Sequence, residues 1–197
     1  MIIGIILLGN RATRIFNIYV AISYVLFAFL QNIAYTEKYG LAIITINVAM
    51  FLLVAFSWFW DLLVQKNNFS SLWKYKSKYW MFFLSFIAFW YPINSETLKP
   101  DFNILYLFTN EAGLTFCMMT TVYISLLILH YPEINLVTLR VTSLVGMIIS
   151  FYNILSNFFL YSDLLWWNGI LHLPLLIISA YGLLISLRKK EGRINKK

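Results

Sequence analysis

The residues best suited to chemistry are a histidine, a glutamate and a threonine that lie within apolar stretches of the sequence. His172 stands between leucines, and an ionisable residue inside a membrane segment indicates a functional site. An imidazole titrates at about pH 6.5 and can act as a general base. Glu111 could orient that base, and Thr45 or Thr115 could supply the hydroxyl that it activates. We therefore predict Thr45, Glu111 and His172 as a candidate catalytic set.

Asparagines form a second set of candidates, because a carboxamide both donates and accepts hydrogen bonds. With the orientation derived below, five of them fall in the outer halves of their helices: Asn47, Asn110, Asn153, Asn157 and Asn168. This asymmetry predicts a ligand-binding pocket that opens toward the outer leaflet. The competing interpretation is that these helix ends reach the wet interface, where polar residues cost little.

Small and polar residues also recur at helical spacing, which places them on single helix faces. One series is Ser143, Gly146, Ser150, Asn153 and Asn157; a second is Asn168, His172, Ser179, Gly182 and Ser186; a third is Gly113, Cys117, Thr121 and Ser125. In lipid, such residues gather where helices meet. The third series is interpreted as a packing seam, and the first two are interpreted either as packing seams or as the lining of a cavity.

Composition indicates a membrane protein. Of 197 residues, 61% are hydrophobic and 12% are charged, whereas a soluble domain is about half apolar and a quarter charged. A single transmembrane domain over 1–197 is predicted. One cysteine excludes an internal disulfide and a cysteine-based metal cluster. Without metal-ligand spacings or a phosphate loop, we expect no metal and no cofactor.

Six apolar segments predict an all-α, polytopic fold. Alternating polar residues, which membrane strands require, are missing from them. About 20 residues span a bilayer, and the third segment is short, although its Trp80 and Trp90 suit two interfaces. Asp61, at the end of the second segment, is expected to reach the interface or to pair with Lys66. The segments are 15–34, 41–64, 79–93, 104–129, 136–161 and 164–187.

The positive charges predict the orientation. With six spans and both termini cytoplasmic, thirteen of the fifteen Lys and Arg residues fall inside, and only Lys38 and Lys99 fall outside. The net charge of +7 therefore indicates topology and contact with anionic lipids, not nucleic-acid binding. No basic residue precedes the apolar Met1–Leu8, so we do not expect a signal peptide there. Amino-acid usage is typical of an AT-rich genome and suggests a bacterial cell membrane.

Three short stretches carry a family resemblance: Ile44-Thr45-Ile46-Asn47, Thr109-Asn110-Glu111-Ala112-Gly113 and Val141-Thr142-Ser143-Leu144-Val145-Gly146. Together with the six-helix plan, they resemble the androgen-induced type of membrane hydrolase, which cleaves branched fatty-acid esters with an intramembrane threonine and histidine. The resemblance implies that Thr45 is the catalytic threonine. The family histidine has no counterpart, since the matching region offers Glu111, Leu114 and Thr115. His172 could replace it only if the sixth helix packs against the second and fourth.

The sequence thus predicts an intramembrane lipid-binding protein or lipid-ester hydrolase, with membrane lipids and a small hydrophobic or polar ligand as partners. The alternative is a solute carrier or the substrate-binding subunit of a vitamin-type transporter. That subunit is similar in size and helix number. Its first helix usually carries two alanines four residues apart, and this pair is missing here, because the residue four positions after Ala21 is Val25. A second alternative is a non-catalytic membrane assembly protein.

Overall fold

The computed structural model describes residues 10–38, 40–69 and 78–187. The predicted lead-in at 1–8, the loop lysines Lys74 and Lys76 and the basic residues at 188–197 lie outside these ranges. The described chain is mostly helical, as predicted. In order, its elements are α1 Asn10–Leu30, β1 Ile33–Thr36, β2 Gly40–Ile43, α2 Thr45–Val64, α3 Trp80–Trp90, α4 Tyr106–Thr109, a 3-10 turn Ala112–Leu114, α5 Phe116–Leu129, α6 Leu136–Leu155, a π-helical extension Ser156–Leu160, α7 Ser162–Leu171 and α8 Leu173–Leu187.

Helix α5 is the centre of the bundle. All of its residues are buried except Cys117, which is half-buried. It is apolar around its whole circumference, as expected of a helix enclosed on every side. Helices α3, α6 and α8 pack against it, while α1 and α2 pack mainly against each other.

Aromatic rings join α1 and α2 to the central helix. Tyr123 of α5 makes edge-to-face contacts with Phe16 (6.0 Å between centroids) and Trp58 (6.3 Å), an arrangement that ring quadrupoles favour. Two of the polar tips have partners: Tyr24 shares a 3.0 Å hydrogen bond with Thr120, and Trp58 Nε1 donates to Thr142 Oγ1 (3.1 Å), whereas Tyr123 Oη has no hydrogen-bond partner among the described residues. These contacts tie α1 and α2 to the central helix.

The outward faces of the helices carry large apolar side chains. Leu63 is 76% exposed and Phe159 78% exposed, and other aliphatic and aromatic residues surround the bundle in the same way. Soluble monomers rarely expose so much apolar surface. Three helices, α1, α2 and α6 with its extension, are long and apolar enough to cross a membrane, and the described chain has up to five such spans if each of two bent pairs counts as one.

The ends of the first two predicted segments form a β-hairpin instead of helix. Asn32 ends α1, because its Nδ2 donates to the carbonyls of Phe27 (3.1 Å) and Ala28 (3.2 Å) that the helix leaves unpaired. Gly40, with φ +67°, closes the turn, and Ile33–Thr36 pairs antiparallel with Gly40–Ile43. The predicted bounds 15–34 and 41–64 were therefore wrong at this junction.

The fourth and sixth predicted segments are each broken. In the fourth, the part before Thr115 and helix α5 meet at 91°, so Glu111 lies in a turn and not in a long helix. In the sixth, α7 and α8 meet at 43° next to His172. Pro174 explains that break, because it has no N–H for the preceding turn and its ring crowds the carbonyl four residues earlier.

The bundle has two ends, which hydrogen bonds between distant segments define. At the hairpin end, Gln31 bonds to the Leu114 carbonyl, Asn110 to the Trp90 carbonyl and Trp167 to the Pro92 carbonyl. At the other end, which we call the Asp61 end, Asp61 bonds to Asn135, Lys78 to the Ile128 carbonyl and Arg140 to the Ser186 carbonyl.

The serine and glycine stripes of α6 and α8 form a reciprocal seam. A Cβ on Gly146 would lie 2.6 Å from Ser179 Oγ, and a Cβ on Gly182 would lie 2.5 Å from Ser143 Oγ. Each helix thus inserts a serine against a glycine of the other. This supports the packing interpretation for these four residues. Gly113 differs, because its Cβ would meet nothing within 4 Å.

Candidate functional site

The three predicted catalytic residues lie in three different settings. Thr45 is exposed in the first turn of α2, Glu111 is exposed next to the 3-10 turn, and His172 is 5% exposed at the break between α7 and α8. Among the described residues, no hydrogen bond or ion pair joins any two of them. Their catalytic roles stay predictions, and the structure offers no preformed contact for them.

His172 has a local structural partner. Its Nδ1 lies 2.7 Å from the Asn168 carbonyl oxygen, so Nδ1 carries the hydrogen and donates. This bond holds one of the carbonyls at the end of α7 that the helix leaves without a partner. In this position the imidazole stabilises the bend between α7 and α8.

A pocket at the hairpin end brings three other predicted residues together. It encloses about 310 Å³, and Asn110, Glu111 and Asn168 all line it. The hydroxyls of Tyr91, Ser95, Tyr106 and Thr109 complete its polar lining. We call this the polar pocket. Among the described residues that line it, Glu111 is the only charged one, so these residues offer oxygen acceptors, amides and hydroxyls, and no cationic side chain.

Hydrogen bonds fix the walls of the polar pocket. Tyr91 Oη donates to Asn168 Oδ1 (2.7 Å), which joins the end of α3 to α7. Asn110 Nδ2 donates to the Trp90 carbonyl (2.6 Å), and its Oδ1 accepts the Ala112 N–H (3.1 Å). Tyr91 and Leu98, both lining residues, have φ of +46° and +57°. Left-handed backbone costs energy in residues other than glycine and is concentrated at functional sites.

An apolar groove lies on the other side of the same wall. It encloses about 470 Å³ and is lined almost entirely by carbon atoms of α3, α7, α8 and the loop between α3 and α4. The lining includes Trp90, Pro92, Phe102 and Trp167. Trp167 Nε1 donates to the Pro92 carbonyl (2.7 Å). We call this the aromatic groove. Two pairs of chain neighbours form this wall. In each pair the tryptophan, Trp90 or Trp167, lines the aromatic groove, and the next residue, Tyr91 or Asn168, lines the polar pocket.

The remaining predicted ligand-binding asparagines do not line the polar pocket. Asn47 is half-buried in the first turn of α2. Asn153 Nδ2 donates to the Ile149 carbonyl (2.9 Å) and lies 3.8 Å from Cys117 Sγ. Asn157 is buried, and its Nδ2 has no hydrogen-bond partner among the described residues. Their ligand roles stay predictions, and Asn153 has a local structural role as well.

Sequence reasoning misplaced Asp61. The side chain is fully buried instead of reaching the interface. Its carboxylate accepts hydrogen bonds from Asn17 of α1 and from Asn135, which precedes α6 (2.8 Å each). The sequence signal that could have indicated this was Asn17, an asparagine within the apolar helix α1, since a buried carboxamide requires a hydrogen-bond partner.

Within the described ranges, no group of three or more His, Cys, Asp or Glu side chains is placed to hold a metal ion. Comparison with protein-family models, with characterised proteins and with solved structures finds no significant match. The fold defines a class, a helical protein with several apolar helices suited to a membrane. Any further functional conclusion depends on the site itself.

Proposed function

We propose that this protein binds an amphiphilic lipid at the hairpin end, with the head group in the polar pocket and an acyl chain in the aromatic groove. The observation that carries the proposal is the shared wall, in which Trp90-Tyr91 and Trp167-Asn168 present aromatic rings to one cavity and polar groups to the other. Sites of this kind are mostly apolar, with a few polar groups that fix orientation.

The lining of the polar pocket favours a particular head group. A carboxylate, two carboxamides and several hydroxyls accept hydrogen bonds from ammonium or hydroxyl groups. A phosphate bound deep in the pocket would find, among the described lining residues, no Arg or Lys of the kind that usually partners such groups. The substrate class we propose is therefore a lipid whose head group ends in an amine or a polyol.

We further propose six crossings of a bacterial cell membrane, with both termini cytoplasmic. Helix α3 decides the number, since its 11 residues extend only about 16 Å. Two observations support counting it. Lys78, just before α3, bonds to the Ile128 carbonyl at the Asp61 end (3.1 Å), and Trp90 bonds to Asn110 at the hairpin end. Helix α3 thus runs beside α5 between the two ends.

The proposal is tested by native mass spectrometry of the purified chain with lipids that share acyl chains and differ in head group. Ethanolamine-headed and glucosyl-headed lipids should be retained, and phosphatidic acid, whose head group ends in the phosphate itself, should dissociate first. Asn168→Leu should weaken binding about tenfold, on the order of 1.4 kcal/mol, because it removes the acceptor of Tyr91 and a head-group contact. Glu111→Gln should weaken the ethanolamine lipid more than the glucosyl lipid.

Glu96→Gln is the matched control, since Glu96 is an exposed carboxylate of the neighbouring loop that does not line the pocket. It should leave the head-group order unchanged. Equal retention of all head groups, or an unchanged order in Asn168→Leu and Glu111→Gln, would contradict the proposed site.

The hydrolase prediction is tested with the same preparation. Turnover of lipid esters by the wild type that His172→Ala abolishes would identify an enzyme. We favour binding over hydrolysis, because no hydrogen bond or ion pair in the described part of the chain joins Thr45, Glu111 and His172 in a way that would activate a nucleophile.

A further inference from the structure

A second polar cluster lies at the Asp61 end of the bundle. It consists of Asp61, Asn17, Asn67 and Asn135, which we call the Asp61 cluster. These side chains are 0%, 2%, 3% and 2% exposed. They come from α1, α2, the segment after α2 and the residue that precedes α6, so the cluster joins three helices at one point.

The carboxylate is held by neutral groups. Asp61 Oδ2 accepts from Asn17 Nδ2 (2.8 Å), and Oδ1 accepts from Asn135 Nδ2 (2.8 Å) and from the Lys66 backbone N–H (3.3 Å). Within the part of the chain that the structure describes, no Lys, Arg or His side chain forms an ion pair with Asp61. Arg14, one turn before Asn17, donates instead to Gln65 Oε1 (2.7 Å). A buried carboxylate without an opposite charge in contact is costly, so a cation bound beside it would stabilise the folded chain.

An unpartnered oxygen lies beside this carboxylate. Asn17 Oδ1 is buried and has no hydrogen-bond partner in the described chain, and it belongs to the same carboxamide whose Nδ2 reaches Asp61. Buried polar atoms are nearly always satisfied, by protein groups, water or ions. An oxygen with free lone pairs next to an unbalanced carboxylate is an arrangement that a small cation completes.

The chemistry of the donors selects the cation. Carboxylate and carboxamide oxygens are hard ligands, which favour alkali and alkaline-earth ions over transition metals. A single negative charge balances a monovalent ion. Oxygen-lined sites between helix ends are also where membrane proteins coordinate sodium.

We propose that the Asp61 cluster binds a sodium ion through Asp61 Oδ2 and Asn17 Oδ1. The site lies at the opposite end of the bundle from the polar pocket. The sodium proposal therefore does not depend on the proposed lipid binding. The bound ion stabilises the junction of α1, α2 and α6 by neutralising the carboxylate.

The proposal is tested by the thermal unfolding of the purified full chain in detergent, in sodium chloride and in choline chloride of equal ionic strength. A ligand that binds only the folded state raises the midpoint as its concentration rises. The wild type should unfold several degrees higher in sodium chloride, and equilibrium dialysis with radioactive sodium should show one ion per chain.

Variants separate the ion from general destabilisation. Asp61→Asn keeps the size of the side chain and removes its charge, so the sodium-dependent shift should vanish. Asp163→Asn is the matched control, because Asp163 is an exposed carboxylate in the first turn of α7, and it should retain the full shift. Asn17→Asp keeps an oxygen at the site and adds a charge, so its folding should depend on sodium more steeply than that of the wild type.

Equal midpoints in sodium and choline for the wild type would overturn the proposal and leave the cluster as a structural hydrogen-bond network. The same holds if sodium stabilises Asp61→Asn as much as the wild type. If Asp61→Asn does not fold, Asn17→Asp decides: a shift no larger than that of the wild type contradicts sodium binding at these two oxygens.

Discussion

His130 is a buried titratable residue whose surroundings favour its neutral form. It follows α5 directly and is 2% exposed, and Nδ1 lies 2.8 Å from the Leu126 carbonyl oxygen. Burial lowers its pKa below the usual value of about 6.5, and nearby Lys78 acts in the same direction, while Glu133 and the backbone carbonyls of Leu126 and Phe69 oppose the shift. Nε2 makes no hydrogen bond among the described residues, and the Phe69 ring packs edge-on against the imidazole, with 4.8 Å between the ring centroids.

The lowered pKa of His130 predicts acid sensitivity. Below about pH 6.5 the imidazole binds a proton more readily in the unfolded chain than in the folded chain. The free energy of unfolding should therefore be highest above that pH and should decrease as the pH falls below it. Thermal unfolding in detergent across this range measures the effect. His130→Asn keeps a donor for the Leu126 carbonyl and does not titrate. The decrease in unfolding midpoint from neutral to acidic pH should therefore be smaller in this variant than in the wild type. An equal decrease would rule out His130 as the source of the acid sensitivity.

At the scale of the helices, the seam between α6 and α8 depends on close approach. Gly146→Ala would place a methyl group 2.6 Å from Ser179 Oγ, so the helices must separate. Overpacking of this kind costs about 1–3 kcal/mol. Ser179→Ala alone should cost little, because Ser179 Oγ has no hydrogen-bond partner in the described chain.

The double variant Gly146→Ala/Ser179→Ala should recover part of the lost stability, since it removes the atom that the new methyl group meets. Gly113→Ala is the control, as its Cβ would contact nothing within 4 Å. The unfolding midpoints of the wild type, the two single variants and the double variant give the coupling energy between positions 146 and 179. A coupling energy near zero would show that the seam adjusts without strain.

Periodicity predicted this seam because the three- and four-residue spacing of Ser143, Gly146, Ser179 and Gly182 is a local property of each helix. The same reasoning failed at the broken segments. Hydropathy does not register that Asn32 ends α1, or that Gln31 satisfies both the Leu114 carbonyl and the Phe116 N–H at the start of α5. Those bonds depend on partners distant in the chain, which apolar periodicity does not reveal.

The candidate sites show the same division. Asn110, Glu111 and Asn168 were predicted at one level, and they line one pocket, although Asn110 and Glu111 lie in the break before α5 and not in the continuous helix that the prediction assumed. Tyr91 was missed, since its place in the wall depends on a left-handed backbone conformation at the end of α3. Asp61 was misplaced, because its partners Asn17 and Asn135 come from elements 44 and 74 residues away.

At the scale of the whole molecule, the sides of the membrane on which the two termini lie report whether the number of crossings is even or odd. Six crossings place both on one side, whereas five crossings, with α3 dipping in and out of one face, place them on opposite sides. The described basic residues favour six. Arg14, Lys66, Lys78 and Arg140 belong to the Asp61 end or its connecting segments, while Lys38 and Lys99 lie in loops of the hairpin end. This is the distribution that cytoplasmic Lys and Arg enrichment requires.

Single cysteines test this topology. Cys117 is the only cysteine, so Cys117→Ala gives a background to which Asn10→Cys, Thr97→Cys, Glu133→Cys or Asn195→Cys is added. In intact cells a membrane-impermeant maleimide should label Thr97→Cys alone, and permeabilised cells should be labelled at all four positions. Labelling of only one of Asn10→Cys and Asn195→Cys from outside would indicate an odd number of crossings. Protection of Thr97→Cys would place the loop after α3 on the cytoplasmic side, so the polar pocket beside it would face the cell interior.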